Sequence, residues 1–358
     1  MKSNFKLSRV AASVAVAITG LAVSQAAFAG PGFVTAVAAD GLTEFQQPTF
    51  FAYSPSGLRD TPIAGFPTTG KALRKFIDPL PLPGAANAKL MADGTTSKYI
   101  PVAVGSKWKN PQGAVTTHDY YEIAVVEYTD KFHTDLKKPT TLRGYVQIDH
   151  LATNNLGLLP GSIAYPLTYP DGTAIMIGAT DANGKLTGAK VQALAVDKPH
   201  FLGPVIAATK DIPTRLKVFN LLPVGRAEVT QDLNGVFTVT KRNGDLFLPV
   251  DKSILGAGVG PDGWTEYTQN RASVHLHGGD TPWISDGTPH QWITPVGEND
   301  ANNPLSLAAA FTGLDSLLDP AMLPNYLKGA STQNVPDMND PGDGAMTLYF
   351  PNGQTARF

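Results

Sequence analysis

A chain of 358 residues with 28 basic and 30 acidic side chains, seven histidines and no cysteine rules out several classes at once. Without a thiol there is no disulfide, no thiolate metal site and no cysteine nucleophile. The near-balanced, mildly acidic charge argues against nucleic acid and against anionic membrane surfaces as partners. The 35 glycines and 29 prolines suit many short strands joined by turns better than a helical protein.

The first residues read as a secretory signal. Lys2, Lys6 and Arg9 give a positive start, an apolar run follows from Val10 to Val23, and Ala27-Phe28-Ala29 is a small-x-small cleavage signature. Cleavage is expected after Ala29, placing the mature chain in the periplasm or outside the cell. No Arg-Arg pair is present, which favours export of the unfolded chain. Removing the signal takes the net charge from −2 to −5, because three basic residues leave with it. No later stretch is long and apolar enough to span a bilayer. Residues 30–115 show little periodicity and are interrupted by Pro79-Leu80-Pro81-Leu82-Pro83-Gly84, so an irregular extension is expected there.

From residue 116 onward the pattern is β. Tyr120 to Tyr128 is dense in β-branched and aromatic residues, and Leu142 to Ile148 alternates polar and apolar. Further strands are predicted at Gly203–Thr209, Leu216–Pro223, Ser273–His277 and Met346–Phe350. Val236–Val239 and Leu246–Val250 are expected to pair across the Arg242-Asn243-Gly244 turn. Pro351-Asn352-Gly353-Gln354 reads as a turn before one more strand at Thr355–Phe358. One segment breaks this rhythm: Leu305 to Leu318, with Ala308-Ala309-Ala310 inside, has helical spacing between Pro304 and Pro320 and predicts a helical insertion. The expected architecture is all-β, an antiparallel Greek-key β-sandwich.

The chemistry is concentrated in Val274-His275-Leu276-His277-Gly278-Gly279. Extended residues at i and i+2 project to one side, so both imidazoles can address a single metal ion. The two glycines remove side-chain bulk beside them. Imidazole suits copper, zinc, iron and nickel, with copper bound most tightly among divalent ions. By itself a His-x-His pair is a weak signal.

Its surroundings are more specific. His275-Leu276-His277-Gly278, then Trp283-Ile284-Ser285-Asp286-Gly287, then Gln291-Trp292-Ile293-Thr294-Pro295 resemble the first copper motif of the multicopper oxidases, of the laccase and bilirubin-oxidase type. The upstream strands, up to Asn220-Leu221-Leu222-Pro223, are similar to that family's early cupredoxin strands. The resemblance implies a cupredoxin-like first domain over 116–358, incomplete at its C-terminal end. It implies that His275 ligates a type 2 copper and His277 one of the paired type 3 coppers. Asp286 would be an acid beside the cluster that hydrogen-bonds water and relays protons during oxygen reduction. His290 matches no ligand, and Asp280, Trp283 and Trp292 match turn and packing positions. His118, His133, His150 and His200 are isolated in sequence.

The departures from that family matter as much. Its trinuclear cluster takes eight histidines from four motifs, of which one is present, and its type 1 site takes a cysteine. The resemblance therefore implies an N-terminal part of a secreted oxidase that couples one-electron oxidation of a small phenolic, pigment-like or metal-ion donor to reduction of O2. The remaining cupredoxin domains would come from the same or a separate chain. The other reading left open is a non-catalytic exported module that binds copper or docks to a partner. Zinc hydrolases of the His-x-His-x-Asp-His type fit poorly, because Gly279 stands where the aspartate belongs.

Overall fold

The structure, a computed structural model, describes residues 36–37, 43–44 and 76–358, apart from 137, 233–236, 248–249, 251, 254–257, 261, 314–317 and 356–358. The signal segment, about half of the expected extension and most of the expected last strand lie outside the described residues. The chain divides into two compact units, Met1–Asp78 with His133–Lys137, and Pro79–Phe132 with Lys138–Phe358. In the first, Ala36–Val37 pairs antiparallel with Thr43–Glu44, and Asp78 accepts from the Thr134 amide at 2.8 Å. The second unit carries everything that follows.

The second unit is mostly β, with short helices. Its principal sheet contains β1 (Ser106–Lys109), β2 (Val115–Asp130), β3 (Thr140–Gln147), β4 (Thr214–Asn220) and β5 (Ala345–Phe350). The aromatic and β-branched run at Tyr120–Tyr128 grows into the sixteen residues of β2. That length lets β2 pair twice on one edge, with β1 along its first half and with β3 along its second. On its other edge lies β4, parallel to it, with β5 antiparallel beyond. The sheet is thus mixed, where the sequence suggested antiparallel pairing throughout. A parallel neighbour needs a long crossover, and here the chain between β2 and β4 supplies β3, the short helix α1 (His150–Thr153) and the hairpin of Met176–Thr180 with Leu186–Gln192.

Both faces of this sheet are covered, which follows from the near-continuous burial of β4 and β5. One face, with Ala124, Val126, Val146, Phe219 and Leu221, packs on Leu167, Ile175 and Ile177. The opposite face, with Tyr121, Ile123, Leu216, Val218, Met346 and Leu348, packs on Ile293 and on Val274 and Leu276. The segment bearing the two histidines is therefore laid across the second face.

Several elements differ from expectation. β1 joins the sheet from the stretch that the sequence leaves irregular; Ser106-Lys107-Trp108-Lys109 is too short and lysine-rich to announce a strand, and only Trp108 is buried. Gly203–Thr209 makes a single parallel bridge, Val102 to Val205, since Pro204 has no N–H to continue a ladder. Among the described residues the expected hairpin across Arg242-Asn243-Gly244 is not formed, and Phe237–Lys241 pairs instead with Glu228–Gln231. Arg242 is drawn away to the buried carboxylate of Glu127, and Asp245 turns back to accept from the Ala227 amide at 2.9 Å. The helical insertion is present as α2 (Leu307–Gly313). Leu307 and Phe311, one turn apart, close a separate cluster with Tyr267, Trp292 and Tyr326, the last from α3 (Leu323–Leu327), which the sequence did not announce. Among the described residues no helix is long and apolar enough to cross a membrane.

Two buried carboxylates tie loops to the sheet. Glu127 is clamped by Arg143 at 3.1 Å and by Arg242, while Arg143 also donates to the carbonyls of Gln269 and Gly244. Glu298, fully buried, accepts from the amides of Gly225 and Leu307, each at 2.6 Å, and from Asn270 Nδ2 at 2.7 Å. A buried carboxylate holding three donors costs far less than an unpaired one.

Candidate metal centre

The histidine segment starts from a pinned point. Ala272 and Ile293 exchange backbone hydrogen bonds as an isolated antiparallel bridge. Asn220, buried at the end of β4, donates from Nδ2 to the carbonyls of Asn270 at 2.7 Å and Ile293 at 2.8 Å. Beyond that bridge the ladder stops, so the expected strand at Ser273–His277 does not form. Gly287 explains why: a Cβ on it would lie 2.2 Å from the Val274 carbonyl oxygen, so this glycine occupies the edge on which a partner strand would bond.

The side-chain alternation survives without the ladder. Val274 and Leu276 turn in against the second face of the sheet, while Ser273, His275 and His277 are exposed. The rings of His275 and His277 consequently stand side by side, their centroids 6.0 Å apart and their planes inclined by 36°. Gly278, at φ 78°, then turns the chain, and nothing lies within 4 Å of where its Cβ would be. The open space expected after His277 is present at Gly278; Gly279, by contrast, is filled by Leu276, 2.5 Å from its Cβ position.

Asp286 belongs to the same corner. A single 3-10 turn at Trp283–Ser285 leads into it, with buried Ser285 accepting from the Tyr349 amide of β5 at 2.8 Å. Gln291 closes the loop, accepting from the Thr288 amide at 2.8 Å and donating to the Trp283 carbonyl at 2.9 Å. This places the Asp286 backbone carbonyl 2.6 Å from Nδ1 of His275, and its carboxylate Oδ1 3.2 Å from the same nitrogen. A carbonyl oxygen only accepts, so Nδ1 carries the proton and the Nε2 lone pair is left for a metal. Metal-binding histidines are usually oriented in this way. Here Asp286 touches His275 itself, a contact that the resemblance did not imply.

The other residues singled out are elsewhere. His290 sits at φ 70° with its ring 5.8 Å from that of Trp292. Trp292 is buried against Tyr267, and Arg271 lies over both rings at 4.8 and 4.2 Å. The Asp280 amide reaches Gln354 Oε1 at 3.4 Å, and Trp283 is exposed. His118 accepts from Arg215 Nε at 3.1 Å, and burial, then Arg215, depress its pKa. His200 is buried under the ring of Tyr99, centroids 4.4 Å apart, and burial lowers its pKa as well. Among the described residues no cluster of three or more histidine, aspartate, glutamate or cysteine side chains is placed to hold a metal. The donor set fits copper as a half-site, two imidazoles of which one has its tautomer fixed.

Three positioning residues, Asn220, Ser285 and Gly287, stand inside the motifs quoted from the sequence, which gave none of them a positioning role; Asn220 and Gly287 were legible only as turn residues. Compared with known proteins, the chain matches no family model, and no curated protein matches it.

Proposed function

We propose that this chain supplies a histidine half-site for copper, held by His275 and His277, to an exported oxidase of the multicopper type, its sheet serving as a cupredoxin-like Greek-key domain. The observation that carries the reading is the paired imidazoles 6.0 Å apart, with Nδ1 of His275 tied to Asp286. Copper, when bound, supplies one-electron redox chemistry of the kind that reduces O2 to water with electrons from a small donor. The residues here bind and orient: His275 presents Nε2, and Asp286 keeps the other ring nitrogen protonated. Placed beside His275, the Asp286 carboxylate is also a group able to hold or pass a proton at Nδ1. The remaining ligands and the cysteine-bearing type 1 site would come from further cupredoxin domains, reached across the open face at Gly278. Export through the N-terminal signal puts this chemistry in the periplasm or outside the cell.

The exposure of both imidazoles also supports a simpler module that binds copper or docks to a partner without turnover. A coding sequence for the cysteine-bearing site next to this one favours the oxidase; its absence favours the module. The half-site itself is tested by titrating the purified chain with Cu(II) and measuring stoichiometry and oxygen uptake with phenolic donors. One loosely held copper, lost in both His275→Ala and His277→Ala, is the expected result. Three or more tightly held coppers, or steady oxygen consumption by this chain alone, would overturn it.

A further inference from the structure

One face of the principal sheet changes character along its length. Ala124, Val126, Phe219 and Leu221 are core, but the same face continues through Tyr120 and Glu122 on β2 and Lys217 on β4. Glu122 and Lys217 are each only 5% exposed and stand opposite one another in the parallel register. Above them lies a cavity of about 350 Å³, roofed by α1, by the turn at 180–184 and by the loop at 338–341.

Two of the polar groups facing this cavity, Lys217 and His150, are under-used. Among the described residues Lys217 makes no ion pair, and its ammonium rests over the Phe219 ring at 4.7 Å. Glu122 accepts from the Tyr120 hydroxyl at 2.7 Å. On the wall, His150 Nδ1 is buried with no hydrogen-bond partner, while its Nε2 lies 3.4 Å from Ser106 Oγ. Buried ammonium and carboxylate groups are seldom kept apart in a folded interior, because each costs free energy unless paired. This pair lies on neighbouring strands, whose backbones are about 4.8 Å apart. A ligand bearing both signs of charge satisfies both heads at once, whereas a simple anion faces Glu122 and a simple cation faces Lys217. Trp108, Leu151, Leu156 and Met338 supply the apolar part of the lining, and the volume is at the lower end of small-molecule sites.

We propose that this cavity binds a free α-amino acid with an apolar side chain, its carboxylate on Lys217 and its ammonium on Glu122. The site is separate from the histidine half-site, so its ligand binds equally well to the His275→Ala variant. Calorimetric titration with L-leucine and L-phenylalanine tests it, with 3-phenylpropionate and phenethylamine as ligands carrying one charge each. Saturable binding of an amino acid is expected, about tenfold or more tighter than either analogue, the worth of one charged hydrogen bond. Lys217→Met and Glu122→Gln should each weaken it by at least about that factor, with folding checked by thermal melts. Should those variants fail to fold, Leu156→Trp decides, because Leu156 is half exposed on the roof and a larger ring there fills the cavity without touching either charge. Absence of heat with both amino acids, analogues that bind as tightly, or binding that persists in Leu156→Trp would overturn the proposal.

Discussion

Glu127 and His275 are both held by neighbours, and the contrast between them separates scaffold from site. The Glu127 side chain is 1% exposed and meets two guanidinium groups, both of which also donate to loop carbonyls. His275 is 51% exposed and is held on one side only, by the carbonyl and carboxylate of Asp286. At Glu127 the charge is sealed and multiply bonded. At the corner, His275 is bonded through Nδ1 alone and its ring is half exposed, as a ligand-binding position requires.

The largest break in that comparison is at the scaffold end. Glu127→Ala leaves two partly buried guanidinium groups without their carboxylate and should cost about 3 kcal/mol of unfolding free energy, read by chemical denaturation. The half-site should keep its geometry in the part of the population that remains folded. Gly287→Ala tests the corner from its backbone. It sets a methyl group against the Val274 carbonyl at a positive φ of 70°, and about 1–3 kcal/mol of stability is expected to be lost. Copper affinity should fall with it, since the Asp286 turn is pushed off His275.

A smaller effect comes from the buried histidines. Burial holds His200 and His118 below the ordinary value of 6.5, so the unfolded chain takes up protons before the folded one does. Their contribution to stability is therefore complete above about 6.5 and is lost as pH falls below it. Melting temperature should drop between pH 7 and pH 5, and His200→Gln should flatten that slope. An unchanged slope would mean that His200 does not report on folding.

How much of this was legible depended on whether the cause was local. β2 follows from a run of β-branched and aromatic residues, β3 and β4 from polar and apolar alternation, and α2 from leucines at helical spacing between prolines. The alternation of Val274 and Leu276 with His275 and His277 was also readable, because period two is a property of extended chain. The parallel partnership of β2 with β4 was not, since it is set by a crossover of more than eighty residues. Nor was the loss of the ladder after Ala272, which a glycine fifteen positions away enforces. The Glu122–Lys217 pair was hidden for the same reason: each reads as an ordinary polar residue in a strand until register brings the two together.

The most direct test of the central claim is pulsed EPR on the purified chain with one equivalent of Cu(II). Two coordinated imidazoles are predicted for the wild type, bound through Nε2 for His275, falling to one in either His275→Ala or His277→Ala. An imidazole count that is unchanged in both variants would place the copper elsewhere and contradict the account.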